Sequence, residues 1–370
     1  MKLLLATPLY PPEIGGPATY AKILEKRLPE RGFAVSVLAF GRFQRYPKGV
    51  KHFLYFLYAL KRARQADAVL ALDPVSVGLP AALAARIAKK PFFVKIVGDY
   101  AWEQGKQRFG LTSTLDDFVE SGARAHFFVR MLQKIELFVA RSAKHIIVPS
   151  NYLRGIVLHW GVAAQRISVV YNSFDAPADP GNRETLRGLL QFDGSLAISV
   201  GRLVPWKGFS ELISITEYIV EKVPDYKLLI VGDGPQRDAL ERQVEESGLG
   251  ERVALTGSLP KDVLVRYLTA SDAFVLNTSY EGFSHQILEA MALSVPVVTT
   301  RIGGNPELIE NEKEGLLVEY GDTRALADAL VRVLTKSSVR SKLIAGGKKK
   351  AQQFTEERMV AATEKVLRKV

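Results

Sequence analysis

Two glutamates, Glu281 and Glu289, lie eight positions apart around the start of a predicted helix in residues 280–304. The pattern there is a loop, a helix, a buried strand and a Gly-Gly turn. A loop that enters a helix presents backbone N–H groups and the positive end of the helix dipole, which suit a phosphate. Carboxylates repel a phosphate and are better suited to accepting hydrogen bonds from hydroxyls. Because a nucleotide sugar has hydroxyls on both sides of its diphosphate, the segment predicts a sugar-nucleotide site.

A basic pair precedes this segment. Arg202 follows a predicted strand and Lys207 precedes the next helix, which places both at the carboxyl edge of a sheet. Arginine binds phosphate oxygens in a bidentate way and lysine supplies a compact charge. A basic pair alone is typical of a surface loop, but together with Glu281 and Glu289 it favours a diphosphate site.

Two glycine-containing turns also follow predicted strands. Gly232 and Gly234 follow one strand, and Gly15 and Gly16 follow the first strand of the chain. Each is typical of a tight turn before a helix, and each also allows a ligand to approach the backbone closely. Neither turn is a G-x-G-x-x-G fingerprint, and the chain has no G-x-x-x-x-G-K-[ST] loop.

Short apolar runs alternate with longer helical patterns along the whole chain, which predicts an α/β protein with parallel sheets covered on both faces. Two sets of such runs indicate two doubly wound, Rossmann-like domains facing across a cleft. The predicted strands are residues 2–6, 34–39, 68–72, 92–97, 145–149, 196–200, 227–231, 252–256, 273–276, 295–299 and 315–318.

The length of 370 residues fits two domains. Residues 173–194 are rich in Pro, Gly and Asp and form the best candidate boundary. We therefore predict domains at residues 1–175 and 176–350. The basic, amphipathic residues 351–370 are expected to form a closing helix.

The composition, with 47% hydrophobic and 24% charged residues, is ordinary for a soluble globular protein. No apolar run is long enough to span a bilayer, and the first residues predict a buried strand instead of a signal peptide. The chain has no cysteine, which excludes disulfides and thiolate metal sites. A cytoplasmic location is compatible with this composition.

The charge is unevenly distributed. Residues 1–172 hold 25 Lys+Arg against 11 Asp+Glu, whereas residues 173–370 hold 25 against 28. The first half is therefore expected to meet something anionic, such as phospholipid headgroups, a lipid-linked phosphate or nucleic acid. A solvated basic surface is the alternative.

Two segments of the first half combine apolar and basic residues. The apolar stretch 53–60 is too short to span a bilayer but is able to lie on one, although a buried helix explains it equally well. The basic region 106–134 is interleaved with Phe127, Phe128 and Leu132. We hypothesise peripheral association with an anionic membrane, at its inner face. The basic side chains beside residues 53–60 are Lys48, Lys51, His52, Lys61, Arg62 and Arg64.

Several sequence blocks resemble the glycosyltransferases of family 4, which have the GT-B fold. They are PPEIGGPATY near the N-terminus, the Arg202–Lys207 pair, VGDGP, and EGFSHQILEAMA followed by PVV, GGNPELI and GLLV. The resemblance covers nearly the whole chain. It implies retaining transfer of a sugar from a nucleotide diphosphate donor without a metal. It also implies an acceptor-side first domain, a donor-binding second domain and a final helix that packs back on the first domain.

The resemblance also implies roles for individual residues. Arg202 and Lys207 would bind the diphosphate, Glu281 the donor-sugar hydroxyls and Glu289 the ribose hydroxyls. The leaving group gains negative charge as the glycosidic bond breaks, and fixed cations stabilise that charge without reorganising. The chain contains no Asp-x-Asp pattern of the kind that holds a metal in the other major glycosyltransferase fold.

Further positions follow from the same blocks. Backbone groups at Phe283 and Ser284 would meet the phosphate or the sugar, and Gly16, beside Gly15, would lie in the loop nearest the diphosphate and the acceptor. His285 lies in the glutamate loop and is expected either to touch the donor or to pack. The other histidines show no metal-ligand spacing.

The chain departs from the family pattern after the fourth strand, where many members carry a histidine that meets the donor sugar. Here Asp99 occupies the equivalent position, with Glu103 as the alternative. A carboxylate there would accept a sugar hydroxyl's hydrogen bond or stabilise an oxocarbenium charge. A smaller departure is Ser294, where the family usually has glycine.

These observations predict a retaining, metal-independent hexosyltransferase without a cofactor, with Asp99, Glu281, Arg202 and Lys207 as its catalytic candidates. Its donor would be UDP- or GDP-linked and its acceptor a glycolipid, lipid-linked or cell-envelope glycan. A catalytically weak or inactive nucleotide-sugar and membrane-binding protein, and a nucleotide-sugar epimerase of similar fold, are the alternatives. Nucleic-acid binding lacks a recognition helix or an aromatic platform in the sequence.

Overall fold

The computed structural model of the chain describes residues 1–13, 15–47, 49–121, 126–177 and 180–369. The chain forms two compact units, Met1–Asn172 with Glu356–Val370, and Ser173–Thr355. The sequence places the corresponding divisions at 175/176 and 350/351. Predicted features that reach outside the described residues are the glycine loop at Ile14, the basic flank at Lys48, the basic region at 122–125, the boundary at 178–179 and the closing helix at Val370.

A parallel six-stranded sheet forms the centre of the first unit. Its spatial order is β2-β1-β3-β4-β5-β6, and Leu3 of β1 pairs with Val35 of β2 and with Ala68 of β3. The strands β3, β4 and β5 are buried at every residue, as expected where helices cover both faces. The strands are β1 (Lys2–Thr7), β2 (Ala34–Ala39), β3 (Ala68–Ala71), β4 (Phe92–Lys95), β5 (His145–Val148) and β6 (Ile167–Val169).

Helices connect these strands. Among these helices, α3 packs against both α2 and α6. Buried alanines on α3, such as Ala81 and Ala85, permit close packing. The helices are α1 (Gly16–Arg27), α2 (Val50–Ala63), α3 (Gly78–Ile87), α4 (Tyr100–Arg108), α5 (Leu115–Ser121), α6 (Phe127–Ser142) and α7 (Asn151–His159).

The second unit is built on another parallel six-stranded sheet, in the order β12-β11-β10-β7-β8-β9. The central strands β7 and β10 pair through Ala197 and Ala273, and both are fully buried. The strands are β7 (Leu196–Val200), β8 (Lys227–Val231), β9 (Val253–Gly257), β10 (Ala273–Leu276), β11 (Val297–Thr300) and β12 (Leu316–Val318).

The helices of the second unit cover this sheet and bury their apolar residues with those of its strands. They are α8 (Arg183–Leu189), α9 (Phe209–Ser214), α10 (Thr216–Lys222), α11 (Arg237–Glu246), α12 (Lys261–Ala270), α13 (His285–Ala292), α14 (Asn305–Leu308), α15 (Thr323–Thr335) and α16 (Ser337–Ala351).

The final helix, α17 (Glu356–Leu367), belongs to the first unit. Its buried side chains, including Val360 and Leu367, join the core around β1 and α1. Thr363 Oγ1 is 2.7 Å from Tyr20 Oη, and Arg31 forms an ion pair with Glu364 at 2.7 Å. Apolar burial and polar pairing therefore both fix this helix on the first unit.

The predicted α/β class with two doubly wound parallel sheets is confirmed. Each predicted strand is present within two residues at either end. The sequence prediction missed β6, because its three residues are too short to show a period. None of the helices in the described ranges combines the length and the apolar character needed to cross a membrane.

Candidate active site

The strand order of the second sheet reverses between β7 and β10, which are neighbours although β8 and β9 separate them in the chain. Open α/β sheets bind ligands at the carboxyl ends of the strands that flank such a reversal. Arg202 and Lys207 follow β7, and Glu281 follows β10. The structure therefore places these three predicted residues on the two loops at the reversal.

Lys207 and Glu281 form an ion pair within the second unit. Lys207 Nζ donates a hydrogen bond to Glu281 Oε2 at 2.5 Å, and only 12% and 13% of the two side chains are exposed. Charges with so little solvent depend on each other, because an unpaired buried charge is costly. Arg202, on the same loop as Lys207, is exposed.

The Lys207 loop is fixed to the loop that follows β10. A short 3-10 turn, Pro205–Lys207, presents the carbonyl of Trp206 to Thr278 Oγ1, which donates at 2.9 Å. Gly208 follows with a φ of 62°. A Cβ on Gly208 would lie 2.0 Å from the carbonyl oxygen of Asn277, so only glycine fits there.

The Gly-Gly turn after β11 supports the Glu281 loop from its other side. Gly304 N donates to the carbonyl of Glu281 at 2.8 Å. Gly303 has a φ of 56°, and a Cβ on it would lie 2.2 Å from the same carbonyl oxygen. A Cβ on Gly304 would lie 2.2 Å from the carbonyl oxygen of Gly282. The glycines allow these two backbones to touch.

Gly232 and Gly234 have the same packing role beside the Arg202 loop. A Cβ on Gly232 would lie 1.8 Å from the carbonyl oxygen of Gly201, and one on Gly234 would lie 2.4 Å from that of Leu203. Leu203 N also donates to the Asp233 carbonyl at 2.9 Å. These glycines therefore fix the loop that carries Arg202, while their predicted contact with the donor stays a prediction.

The Glu281 loop leads into helix α13. Ser284 is its N-cap and accepts a hydrogen bond from Ile287 N at 3.3 Å. Phe283 is buried with its ring centroid 5.4 Å from that of Phe354, and His285 is half-buried at the first helical position. Helix α13 therefore begins four residues after Glu281, and the positive end of its dipole lies at the end of the Glu281 loop.

Glu289 lies one turn further along α13 and is largely buried. Burial raises the pKa of Glu289, and the Lys261 ammonium opposes that shift. Lys261 Nζ is 3.7 Å from Glu289 Oε1 and 4.9 Å from the centroid of the Phe174 ring. The pair supplies a second carboxylate with a nearby cation in the same unit.

In the first sheet the strand order reverses between β1 and β3. Gly15 lies between β1 and α1 as the N-cap of that helix, and Gly16 is the first residue of α1. The predicted glycine loop therefore lies at the switch point of the first sheet. Its predicted contact with a diphosphate or an acceptor is not tested by this placement.

Asp99 caps a helix. Its Oδ1 accepts a hydrogen bond from Trp102 N at 2.7 Å, and the side chain shares a further hydrogen bond with Glu136. Glu136, on α6, accepts from Tyr100 N at 2.7 Å and from Ala101 N at 3.2 Å. Two buried carboxyl groups therefore hold the N-terminus of α4.

Burial raises the pKa of Asp99 to about 6, and burial together with the Asp99 charge raises the pKa of Glu136 well above its usual range. Two like charges this close in an apolar site do not both ionise readily, so one proton is shared. The sequence assigned Asp99 a contact with the donor sugar. That assignment stays a prediction beside the capping role that the structure gives.

Sequence reasoning missed buried ionisable groups in the first unit, among them Glu136 and Lys95. Glu136 lies in the apolar stripe of the amphipathic helix α6, and a charged residue at such a core position is the signal that was available. Lys95 lies inside the buried strand β4, where its Nζ is 3.4 Å from the centroid of the Tyr20 ring and donates to Asn172 Oδ1 at 2.9 Å. Burial lowers the pKa of Lys95.

Cationic side chains are the groups on these loops that suit a diphosphate. Within the ranges that the structure describes, no group of three or more His, Asp or Glu side chains is arranged to hold a metal ion.

Comparison with known families covers both units. Residues 5–173 match the family described as "Glycosyl transferase 4-like domain", and residues 185–350 match "Glycosyl transferases group 1". Together the two matches contain the loops described above at the switch points of both sheets.

Two curated relatives illustrate the similarity. The UDP-Gal:alpha-D-GlcNAc-diphosphoundecaprenol alpha-1,3-galactosyltransferase of Escherichia coli is 29% identical over 79% of this chain and 74% of its own length. The lipopolysaccharide core biosynthesis glycosyltransferase LpsD of Rhizobium meliloti is 35% identical over 49% of this chain and 51% of its own. The chain spans about half the length of most curated relatives it matches, from 37% to 74% among the first five.

A solved structure agrees with the fold. Anabaena Alr3699/HepE in complex with UDP-glucose superposes with a TM-score of 0.77 at 21% identity, with both chains covered completely. At this identity the similarity shows the fold alone.

Proposed function

This chain belongs to the GT4-type glycosyltransferases of the GT-B fold, and from that premise we propose that it transfers a hexose from a UDP- or GDP-linked donor to a lipid-linked or cell-envelope acceptor. One observation carries the donor half of this proposal. Lys207 and Glu281 pair at the switch point of the second sheet, directly before the N-terminus of α13. Cation, carboxylate and helix dipole are the groups that a diphosphate and a sugar require side by side.

The proposed chemistry uses those groups in turn. The bond between the anomeric carbon and the β-phosphate oxygen breaks, and its electron pair stays on the phosphate. Arg202, Lys207 and the start of α13 stabilise the charge that develops there. The acceptor hydroxyl oxygen bonds to the anomeric carbon, and its proton passes to the released β-phosphate oxygen.

The carboxylates act on hydroxyl groups in this proposal. Glu281 accepts hydrogen bonds from the donor sugar, and the diphosphate replaces it as the anionic partner of Lys207. Glu289 accepts from the ribose hydroxyls, which requires its ionised form. The neighbouring Lys261 supports that form because it opposes the effect of burial on the pKa.

Two finer features rest on the sequence resemblance. We propose retention of the anomeric configuration and transfer without a metal. Proton NMR of the product's anomeric coupling tests the first, and transfer in the presence of a chelator tests the second. Product of inverted configuration, or activity that a chelator abolishes and a divalent cation restores, would contradict the respective feature.

The acceptor proposal has separate support. The named acceptor of the Escherichia coli relative is a diphosphoundecaprenol-linked sugar, and another relative is a capsular polysaccharide glycosyltransferase of Staphylococcus aureus. The basic first half of this chain suits the phosphate of such a lipid and an anionic membrane surface. Flotation with anionic vesicles at moderate salt tests the membrane association, and failure to co-float would contradict it.

The transfer proposal is tested by release of nucleoside diphosphate from UDP-glucose, UDP-galactose, UDP-N-acetylglucosamine and GDP-mannose in the presence of extracted lipid-linked acceptors. Release from one donor, dependent on the lipid fraction and lost in Glu281→Ala, is expected. If the chain binds nucleotide but releases no nucleoside diphosphate from any of these donors, the non-catalytic alternative is favoured. The buried position of Asp99 is consistent with that alternative.

A further inference from the structure

An apolar groove of about 540 Å³ lies in the first unit between α2, α3 and α6. We propose that this groove holds the hydrocarbon chain of a phosphate-bearing lipid acceptor. The inference rests on the lipid-linked acceptor of the proposed function and adds the place where the chain binds. The groove walls include Phe53 and Phe56 of α2, Leu79 and Leu83 of α3, and Leu132 and Ile135 of α6.

The lining of the groove has the character of a ligand site. Apart from His52, its walls are aliphatic and aromatic side chains. Its volume lies in the range of small-molecule pockets, which are mostly apolar. The open groove leaves these apolar side chains in contact with water, and an apolar occupant would remove that contact.

Apolar surface continues outside the groove. Phe53 is 61% exposed, and on α6 Phe128 and Met131 lie on the same helical face as Ile135 and are also exposed. Single exposed apolar residues are normal, whereas a continuous patch marks a contact with a partner or a lipid. The surface around the groove is therefore suited to the apolar part of an amphiphile.

The excess of Lys and Arg on the three helices favours an anionic amphiphile over a cationic one. Together α2, α3 and α6 carry seven Lys+Arg and one acidic residue, and that residue, Glu136, is buried against Asp99. Cations on the helices that form the walls of an apolar groove suit a lipid phosphate whose chain lies in the groove. A second copy of the chain would instead bring two such cationic surfaces together, which like-charge repulsion disfavours.

Part of the groove lining comes from the loop at the carboxyl end of β3 in the first sheet. Val75, part of the lining, follows β3, one of the two strands at the switch point. Ser76 follows Val75 in this loop, and its backbone is hydrogen-bonded to the ring of His52 on α2. This bond fixes α2 to the loop. A chain in the groove would therefore bring its phosphate toward the edge where such sheets bind ligands.

The test uses decyl phosphate below its micelle concentration, with ethyl phosphate as the chainless comparison, in calorimetric titrations of the full chain. We expect wild type to bind decyl phosphate, and ethyl phosphate at least about tenfold more weakly, because each buried methylene contributes. Leu83→Trp fills the groove with apolar volume and is expected to weaken decyl phosphate binding by a similar factor. Ile87→Trp, one turn along the same helix outside the groove lining, is the matched control and should bind as wild type does.

Leu132→Asn on the facing wall gives an independent reading if Leu83→Trp fails to fold, and it should also lose binding. Equal binding of decyl phosphate to wild type and to the folded groove variants would overturn the proposal. So would equally tight binding of decyltrimethylammonium, or a dimer in light scattering that Leu132→Asn dissociates.

A parallel titration with UDP and GDP separates this proposal from the proposed function. Decyl phosphate binding without nucleotide binding would support the groove and contradict the transferase. Nucleotide binding with no decyl phosphate binding would overturn the groove alone.

Discussion

Lys207 and Glu281 form an ion pair with little access to solvent, since both side chains are mostly buried and Lys207 Nζ lies 2.5 Å from Glu281 Oε2. Such a pair is costly to break by removing one member, because the other charge is then left in a poorly solvated site. An anionic ligand, however, can replace Glu281 as the partner of Lys207 without leaving the lysine unpaired. In the proposed function, the pair would therefore link the stability of the second unit to donor binding.

Glu281→Ala is expected to lower the transfer rate by roughly 10²–10³, the usual effect of removing one group that stabilises a transition state. The second unit should still fold, with Lys207 partly uncompensated. Steady-state kinetics and a thermal melt measure the two effects. Glu319→Ala, which breaks an exposed ion pair with Arg301 in the same unit, is the control and should change stability by less than about 1 kcal/mol. Wild-type turnover in Glu281→Ala would contradict the assigned role.

Nucleotide binding is expected to show an acid limit set by Glu289. Its pKa is raised by burial, so its ionised form, and with it the ribose contact, is lost as the pH falls through that raised value. Lys261→Ala removes the opposing cation, raises the pKa further and should move the loss of binding to higher pH. Titrations with UDP or GDP across about pH 4.5–8 measure the shift.

The control for this pH effect is Glu289→Gln, which cannot titrate. In that background Lys261→Ala should cause no further shift in the pH dependence. An acid limit that is identical in wild type and Lys261→Ala would show that Glu289 does not set it.

Asp99 and Glu136 make the stability of the first unit depend on pH. The native pKa of Asp99, about 6, lies above its ordinary value of 3.8, so the folded state binds more protons between these values. The free energy of unfolding should therefore decrease as the pH rises through this window. Asn caps helices as well as Asp does, so Asp99→Asn should fold and show a smaller decrease in urea denaturation.

The same variant decides between the two roles of Asp99. If its carboxyl group serves mainly as a cap, Asp99→Asn should keep transfer within about threefold, a change of under 1 kcal/mol. A hundredfold loss of transfer at unchanged stability would instead establish the contact with the donor sugar that the sequence predicted.

At the scale of elements, the loops at the second switch point are held by direct contact between backbones. The turn after β11 touches the Glu281 loop at Gly303, and the turn after β8 touches the Arg202 loop at Gly232. Side chains at these glycines would push the loops apart. The positions of the Arg202 and Glu281 loops therefore depend on glycine at Gly232 and Gly303.

Gly303→Ala is expected to weaken nucleotide binding by at least about tenfold, because its Cβ would displace the loop that carries Glu281. Gly248→Ala is the matched control, since it has a similar left-handed φ of 66° and no atom within 4 Å of the added Cβ. Both variants bear the backbone cost of about 1–2 kcal/mol, whereas only Gly303→Ala should lose affinity. Equal affinity in the two would contradict this role of the turn.

Element type was predictable from sequence where the apolar runs are long. The predicted bounds of β7 and β8 agree with the structure at both ends, because buried parallel strands have continuous apolar sequences. The three-residue strand β6 shows no such run and was missed. The Arg202 and Lys207 positions were predictable because they follow a strand, but Glu281, the partner of Lys207, comes from another loop.

At the scale of the whole molecule, the repeated strand–helix alternation and the family blocks were sufficient to predict the fold. Pairings between distant positions were not predictable, such as Lys207 with Glu281 or Asp99 with Glu136, because they depend on how loops and helices meet in three dimensions. Tyr20 and Thr363, 343 positions apart, are a further example. The excess of Lys and Arg in the first half was visible in the sequence, whereas the apolar groove between α2, α3 and α6 was not.

Titration of the purified chain with UDP, GDP and ADP, in the presence of a chelator, measures whether the second unit binds a nucleoside diphosphate. We expect one of the three to bind, and we expect Lys207→Ala to weaken this binding by at least about tenfold, as loss of a charged phosphate contact should. Lys313→Ala, at an exposed ion pair of the same unit, should bind as wild type does. Binding of none of the three nucleotides, or binding that Lys207→Ala leaves unchanged, would contradict the site at the β7–β10 switch point.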